Sequence, residues 1–129
     1  MNLRIGHRTY NVSPMSEEMR HENDALGLWD SSAAAIHVWP KVEPQEQVRI
    51  LLHELIHALY WETGLKGDAA NERPEEEVCE HLDVGLARLF QDNPEIHEVI
   101  HQGLAGRRGI FDAPAEQGVY KRRVSKGGA

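Results

Sequence analysis

The feature that most constrains the fold is a run of apolar residues with helical spacing between Pro44 and Thr63. Apolar side chains recur there every three or four positions, at Val48, Leu51, Leu52, Leu55, Ile56 and Leu59. That spacing is typical of one face of an α-helix. Pro44 suits the first turn of such a helix, and Gly64 suits a stop just beyond its end. The chain is therefore predicted to contain one long amphipathic helix whose apolar face must be covered by other elements.

Before this helix the sequence favours short strands. Residues 3–12 alternate imperfectly between apolar and polar side chains and predict a first strand, which Pro14 ends. Two further strands are predicted around a turn at residues 30–32, and Pro40 stops the second of them. Residues 14–24 suit either a turn of helix or a loop. The expected product is a small antiparallel sheet.

After the long helix a second one is predicted from Pro74 to about Phe90, because apolar residues again recur with helical spacing. Acidic residues crowd its beginning, which is favourable at the positive end of the helix dipole. Residues 92–94 end it, and a short third helix is expected over residues 95–101. The predicted fold class is α+β, with the antiparallel sheet packed on the long helix and on the acid-led helix.

Charge divides the chain into two parts. Residues 1–102 carry 8 basic and 19 acidic side chains, whereas residues 103–129 carry 6 basic and 2 acidic ones. An acidic body disfavours non-specific binding to nucleic acid. The basic end is also rich in glycine, so residues 103–129 are expected to form a flexible tail and are the one candidate contact with nucleic acid. The predicted domain is residues 1–102.

Length and cysteine content limit the class of protein further. The 129 residues are one domain's worth of chain. No apolar run approaches the length needed to span a bilayer, so no membrane contact is expected. The N-terminus lacks the apolar segment of a secretory signal, and a single cysteine, Cys79, excludes an internal disulfide framework. These features predict a cytoplasmic protein.

The motif that carries chemistry lies inside the long helix. His53, Glu54 and His57 form the pattern His-Glu-x-x-His, and the four-residue spacing places both imidazoles on one helix face, where one zinc ion can bind both. Glu54 is then positioned to take a proton from a zinc-bound water, whose pKa the metal lowers to about 7. Composition alone would produce this motif in about 6% of such chains. Its position on a predicted helix with apolar flanks favours metal binding.

A catalytic zinc site needs a third protein ligand. The metzincin continuation would require glycine at position 60 and histidine at position 63, where this chain has Tyr60 and Thr63. The alternative is a glutamate at the start of the second helix. The sequence offers five glutamates there: Glu72, Glu75, Glu76, Glu77 and Glu80.

These features together resemble a known family. The segments LLHELIHALYWETG and EEEVCEHLDVGLARLFQDNP are similar to the minimal gluzincin zinc metallopeptidases encoded by phages and mobile elements, and distantly to the ImmA/IrrE-type peptidases. The resemblance covers roughly residues 3–100. It implies zinc ligation by His53, His57 and Glu76, with Glu77 as the alternative third ligand, and Glu54 as general base. For a phage-encoded protein the expected location is the host cytoplasm.

The leading hypothesis is a zinc-dependent metallopeptidase that hydrolyses peptide bonds in a peptide or protein substrate. The alternative is a non-catalytic, zinc-stabilised binding or virion-associated protein with the same fold. This alternative follows from the short chain, which leaves little surface for a substrate cleft.

Overall fold

The computed structural model describes residues 1–63 and 75–112, with the side chains of the second range described from residue 77 onward. Its strands are β1 (Asn2–Ile5), β2 (Arg8–Pro14), β3 (Gly27–Asp30) and β4 (Ala35–Val38), and its helices are α1 (Glu17–Asn23), α2 (Pro44–Glu62), α3 (Glu75–Asp92) and α4 (Ile96–Leu104). The fold class is α+β, which confirms the prediction. Within these two ranges, no helix combines the length and apolarity needed to cross a membrane.

The sheet is mixed, and its strand order is β1-β2-β4-β3. β1 pairs with β2 and β3 pairs with β4 in antiparallel fashion, but β2 and β4 lie parallel. The prediction of an antiparallel sheet is therefore wrong for the central pair. Parallel neighbours need a long crossover connection, and α1 with β3 provides it between β2 and β4.

Two details of the first half of the chain go beyond the sequence prediction. The single strand predicted over residues 3–12 is a hairpin, which turns at Gly6 with a φ of 65°, a left-handed conformation that glycine adopts without strain. The segment that suited either helix or loop forms α1. Its first turn is capped by Ser16, whose hydroxyl accepts the N–H of Met19 at 3.1 Å.

One face of the sheet packs on α2, and this contact forms most of the core. The sheet contributes Leu3, Ile5, Tyr10, Val12, Ile36 and Val38, and α2 contributes Val48, Ile50, Leu51, Leu55, Ala58 and Leu59. The predicted apolar face of α2 is thus confirmed for most of its members. Ile56 is the exception, because 51% of its surface is exposed. The predicted boundary residues Gly64 and Pro74 lie outside the described part of the chain.

The two edges of the sheet differ. At the β1 edge, the buried side chain of Asn93 accepts the N–H of Arg4 at 2.8 Å and donates to the carbonyl of Arg4 at 2.9 Å. The Asn93 amide thereby makes the hydrogen bonds that a neighbouring strand would make. At the opposite edge, β3 faces a cleft that it shares with α2.

Residues 103–112 pack against the N-terminal half of α2. Ile110 belongs to the core, and its N–H donates to the side chain of Gln47 at 2.9 Å. Gly103 also lies against Val48, where a Cβ would collide with the valine side chain. The first ten residues of the predicted flexible tail are therefore packed structure, and residues 113–129 lie outside the described part of the chain.

Candidate metal and catalytic site

A cleft of about 550 Å³ lies between α2 and β3. The three defining residues of the His-Glu-x-x-His motif line it from the helix side: His53, Glu54 and His57. The facing wall is the backbone and side chains of residues 25–29. The sequence motif and the edge strand thus meet at one concave surface, as binding sites usually do.

The two histidines are neighbours on the exposed face of α2. Their ring centroids lie 4.9 Å apart, and the ring planes are inclined at 75°. Both side chains are exposed to solvent, so neither of them carries the cost of burying a polar ring in the core. Their position one helical turn apart is the arrangement that allows two imidazoles to bind the same metal ion.

Glu54 lies on the same helix but is buried, with 8% of its surface exposed. Burial raises the pKa of the Glu54 carboxyl, and the nearby His53 and His57 oppose that rise. A carboxyl group whose pKa is raised by burial keeps its proton to a higher pH than the same group in water.

Gly27, in β3, is the residue that brings the strand against Glu54. A Cβ at this position would lie 2.6 Å from Cγ2 of Ile50 and 2.7 Å from Oε2 of Glu54. Both distances are too short for any side chain, so glycine alone permits this approach. Sequence analysis did not single out Gly27. The available signal was a glycine inside a predicted strand, which often marks close approach of backbone to another group.

Trp29 follows two residues later on the same face of β3. Its ring stacks on the ring of His57, with centroids 5.7 Å apart and planes inclined at 12°. Trp61, one turn beyond His57 on α2, makes an edge contact with Trp29, with ring centroids 5.8 Å apart and planes inclined at 61°. Sequence analysis also missed Trp29, because nothing local to it reveals that the strand crosses the helix at His57.

The predicted third ligand is described only in part. Glu76 lies in the first turn of α3, and its side chain is outside the described residues. The alternative, Glu77, is half-buried. Among the side chains that the structure describes, no three His, Cys, Asp or Glu residues form a group able to hold a metal ion.

No protein-family model matches the chain, and no curated protein or solved structure is significantly similar to it. Inference of function therefore rests on the residues of the cleft.

Proposed function

We propose that this protein is a zinc-dependent peptidase that hydrolyses a peptide bond in the cleft between α2 and β3. The observation that carries the proposal is the meeting of three groups in one cleft: the exposed pair His53 and His57, the buried Glu54, and the edge strand of the sheet. Each of them suits one requirement of the reaction, namely metal binding, proton transfer and substrate alignment.

The donor set fits zinc. Two imidazoles from successive turns of one helix, joined by a carboxylate from elsewhere, are a common ligand set for catalytic zinc. His53 and His57 would supply the nitrogens, and Glu76, with Glu77 as the alternative, would supply the oxygen. When bound, zinc would act as a Lewis acid that lowers the pKa of a coordinated water and polarises the substrate carbonyl.

Glu54 is suited to move the proton. Its carboxylate would accept a proton from the attacking water and deliver that proton to the nitrogen of the leaving amine. Its position beside His53 in the helix and its place in the lining of the cleft favour this double role. The close approach of Gly27 to this side chain restricts where the carboxylate can point.

The edge strand supports a peptide as the substrate. The N–H of Trp39 donates to the carbonyl of Leu26 at 2.8 Å, and successive residues of an antiparallel strand direct their backbone groups to opposite sides. Gly27 and Trp29 therefore direct their N–H and C=O groups away from β4, at an edge of the sheet that no other described strand pairs with. An extended peptide can add to such an edge as a further strand.

Metal content tests the foundation of the proposal. Protein stripped with a chelator, dialysed against zinc and freed of excess metal should hold one zinc per chain by elemental analysis, and His53→Ala or His57→Ala should lose it. A matched control is the double change of His97 and His101 to alanine, which removes the other pair at this spacing, on α4. Absence of zinc from the wild-type protein would refute the proposal.

Hydrolysis is tested with a library of quenched fluorescent peptides. Glu54→Gln should keep its zinc and lose at least about a hundredfold in rate, because the proton acceptor is gone. Glu46→Gln, at the same cleft, should keep both zinc and activity. If the wild-type protein binds zinc but neither it nor Glu54→Gln cleaves any peptide, the non-catalytic, zinc-stabilised alternative is the correct one.

The third ligand is tested separately. Glu76→Ala should weaken zinc binding by about 10- to 100-fold or more, because a direct ligand matters at least as much as the groups that orient ligands. Glu77→Ala should change the zinc dissociation constant little. The reverse result would make Glu77 the ligand and rotate the ligating face of α3 by about 100°.

A further inference from the structure

His57 differs from most metal-binding histidines in what holds its ring. The second ring N–H of such a histidine usually donates a hydrogen bond to a carboxylate or carbonyl oxygen, and this bond fixes the ring orientation. In the described part of the chain, no hydrogen bond to His57 is present, and its ring instead stacks nearly parallel on Trp29. The ring contacts with Trp29 and with His53 therefore restrict the imidazole, and only the contact with Trp29 is a stack on the ring face.

The Trp29 side chain is itself held by a hydrogen bond to Tyr10. Its indole N–H donates to the hydroxyl of Tyr10 at 3.3 Å, and that hydroxyl donates to Oε2 of Glu62 at 2.8 Å. Tyr10 is completely buried in the core between the sheet and α2. A buried hydroxyl that both accepts and donates a hydrogen bond has one orientation, so it gives the indole a fixed partner.

The chain of contacts ends on the helix where it began. Glu62 lies on α2 five residues beyond His57, its side chain is 3% exposed, and Arg8 donates to its Oε2 at 3.0 Å. The guanidinium balances the buried carboxylate, which would otherwise be costly to desolvate. His57 and Glu62 are thus connected twice, once along α2 and once through Trp29 and Tyr10 of the sheet.

We propose that Trp29 sets the ring plane of His57 for metal binding and that Tyr10 holds Trp29 in that position. Both are positioning residues. The inference rests on the proposed function, because it supposes that His57 is a metal ligand.

Stacking suits this task for a geometric reason. It occupies the face of the imidazole, whereas the lone pair of the unprotonated ring nitrogen lies in the plane of the ring and stays available to a metal. A ring that already has its binding orientation loses less conformational entropy when the metal arrives. Loss of the stack should therefore weaken zinc binding even though no ligand is removed.

Zinc affinity, measured by competition with a chromophoric chelator, tests the proposal. Tyr10→Phe keeps the buried ring but removes the hydroxyl, and it should raise the zinc dissociation constant about tenfold. Trp29→Leu should raise the constant by about 10- to 100-fold, and Trp29→Phe, which restores an aromatic face, should recover part of that loss. Trp39→Phe is the control, because Trp39 contacts Arg20 and Lys41 rather than the cleft.

A second measurement needs no metal. In the zinc-free protein, the ring current of Trp29 should shift the ring protons of His57 upfield in the proton spectrum, because the two rings are stacked. Tyr10→Phe removes neither the indole ring nor the imidazole ring. It should nevertheless reduce the shift, because the indole is no longer held over the imidazole.

The outcomes separate the inference from the function on which it rests. If wild-type protein binds zinc and Tyr10→Phe lowers only the unfolding temperature, with the zinc dissociation constant and the His57 shift unchanged, Tyr10 is merely structural and the inference is wrong. Unchanged zinc affinity in Trp29→Leu would also overturn it. If wild-type protein binds no zinc, the proposed function and the inference fall together.

Discussion

Gly27 shows how much one missing side chain decides at the scale of single residues. A Cβ at position 27 would overlap the side chains of Ile50 and Glu54. Gly27→Ala should therefore move the Glu54 carboxylate or push β3 outward. Overpacking of this kind costs about 1–3 kcal/mol. We expect urea unfolding to report that loss, and we expect the proposed peptide hydrolysis per folded molecule to fall.

The control for this prediction is Gly103→Ala. A Cβ at Gly103 would collide with Val48, in the core and not in the cleft. This variant should also unfold more easily, yet it should keep its hydrolysis rate per folded molecule. Equal loss of hydrolysis in the two variants would mean that the effect at Gly27 is one of stability alone.

The burial of Tyr10 predicts that the free energy of unfolding depends on pH in the alkaline range. Burial, the largest cause, raises the pKa of Tyr10 above its ordinary value of 10.0. The folded state therefore keeps the phenolic proton at a pH where the unfolded chain has released it, and stability falls as pH rises above about 10. Tyr10→Phe should reduce this alkaline loss of the free energy of unfolding. Parallel alkaline curves for the two proteins would contradict the prediction.

At the scale of elements, the two edge strands differ in whether a side chain pairs their outer backbone groups. Asn93 closes the β1 edge through both backbone groups of Arg4 and also donates to the carbonyl of Leu89 at 2.8 Å. An open edge invites pairing with another chain. Among the strands that the structure describes, closure at β1 leaves β3 as the edge without a hydrogen-bonding neighbour on its outer side.

Asn93→Ala should destabilise the protein by about 2–3 kcal/mol, because its side-chain hydrogen bonds are lost and the N–H and C=O of Arg4 are left without these partners. Urea unfolding measures the change. Asn11→Ala is the comparison, since the side chain of Asn11 makes an exposed hydrogen bond to Asn2, and its effect should stay within about 0.5 kcal/mol. Similar effects of the two substitutions would show that Asn93 does not close the edge.

At the scale of the whole molecule, residues 103–112 are part of the folded unit. Chains truncated after residue 102 and after residue 112 differ only in this segment, which includes the buried Ile110 and its hydrogen bond to Gln47. The longer chain should be more stable by at least about 2 kcal/mol in urea unfolding, mainly through burial of that isoleucine. Equal stability would restore the domain end that the sequence predicts at residue 102.

The sequence by itself determined the features that depend on neighbours along the chain. The spacing of apolar residues predicted α2, and four-residue spacing within a helix brought His53 and His57 together, because both follow from the geometry of one helical turn. The strands β3 and β4 were likewise predicted by their turn and by Pro40. The α+β class followed from the order of these elements.

Only the tertiary structure decided which elements meet. The parallel pairing of β2 with β4, the approach of Gly27 to Glu54, and the stacking of Trp29 on His57 join residues more than 20 positions apart. No local period encodes such contacts, because they depend on how the apolar faces of the sheet and of α2 cover each other. The packing of Ile110 on α2 was missed for the same reason: a basic, glycine-rich composition describes a segment, but burial depends on the surface it meets.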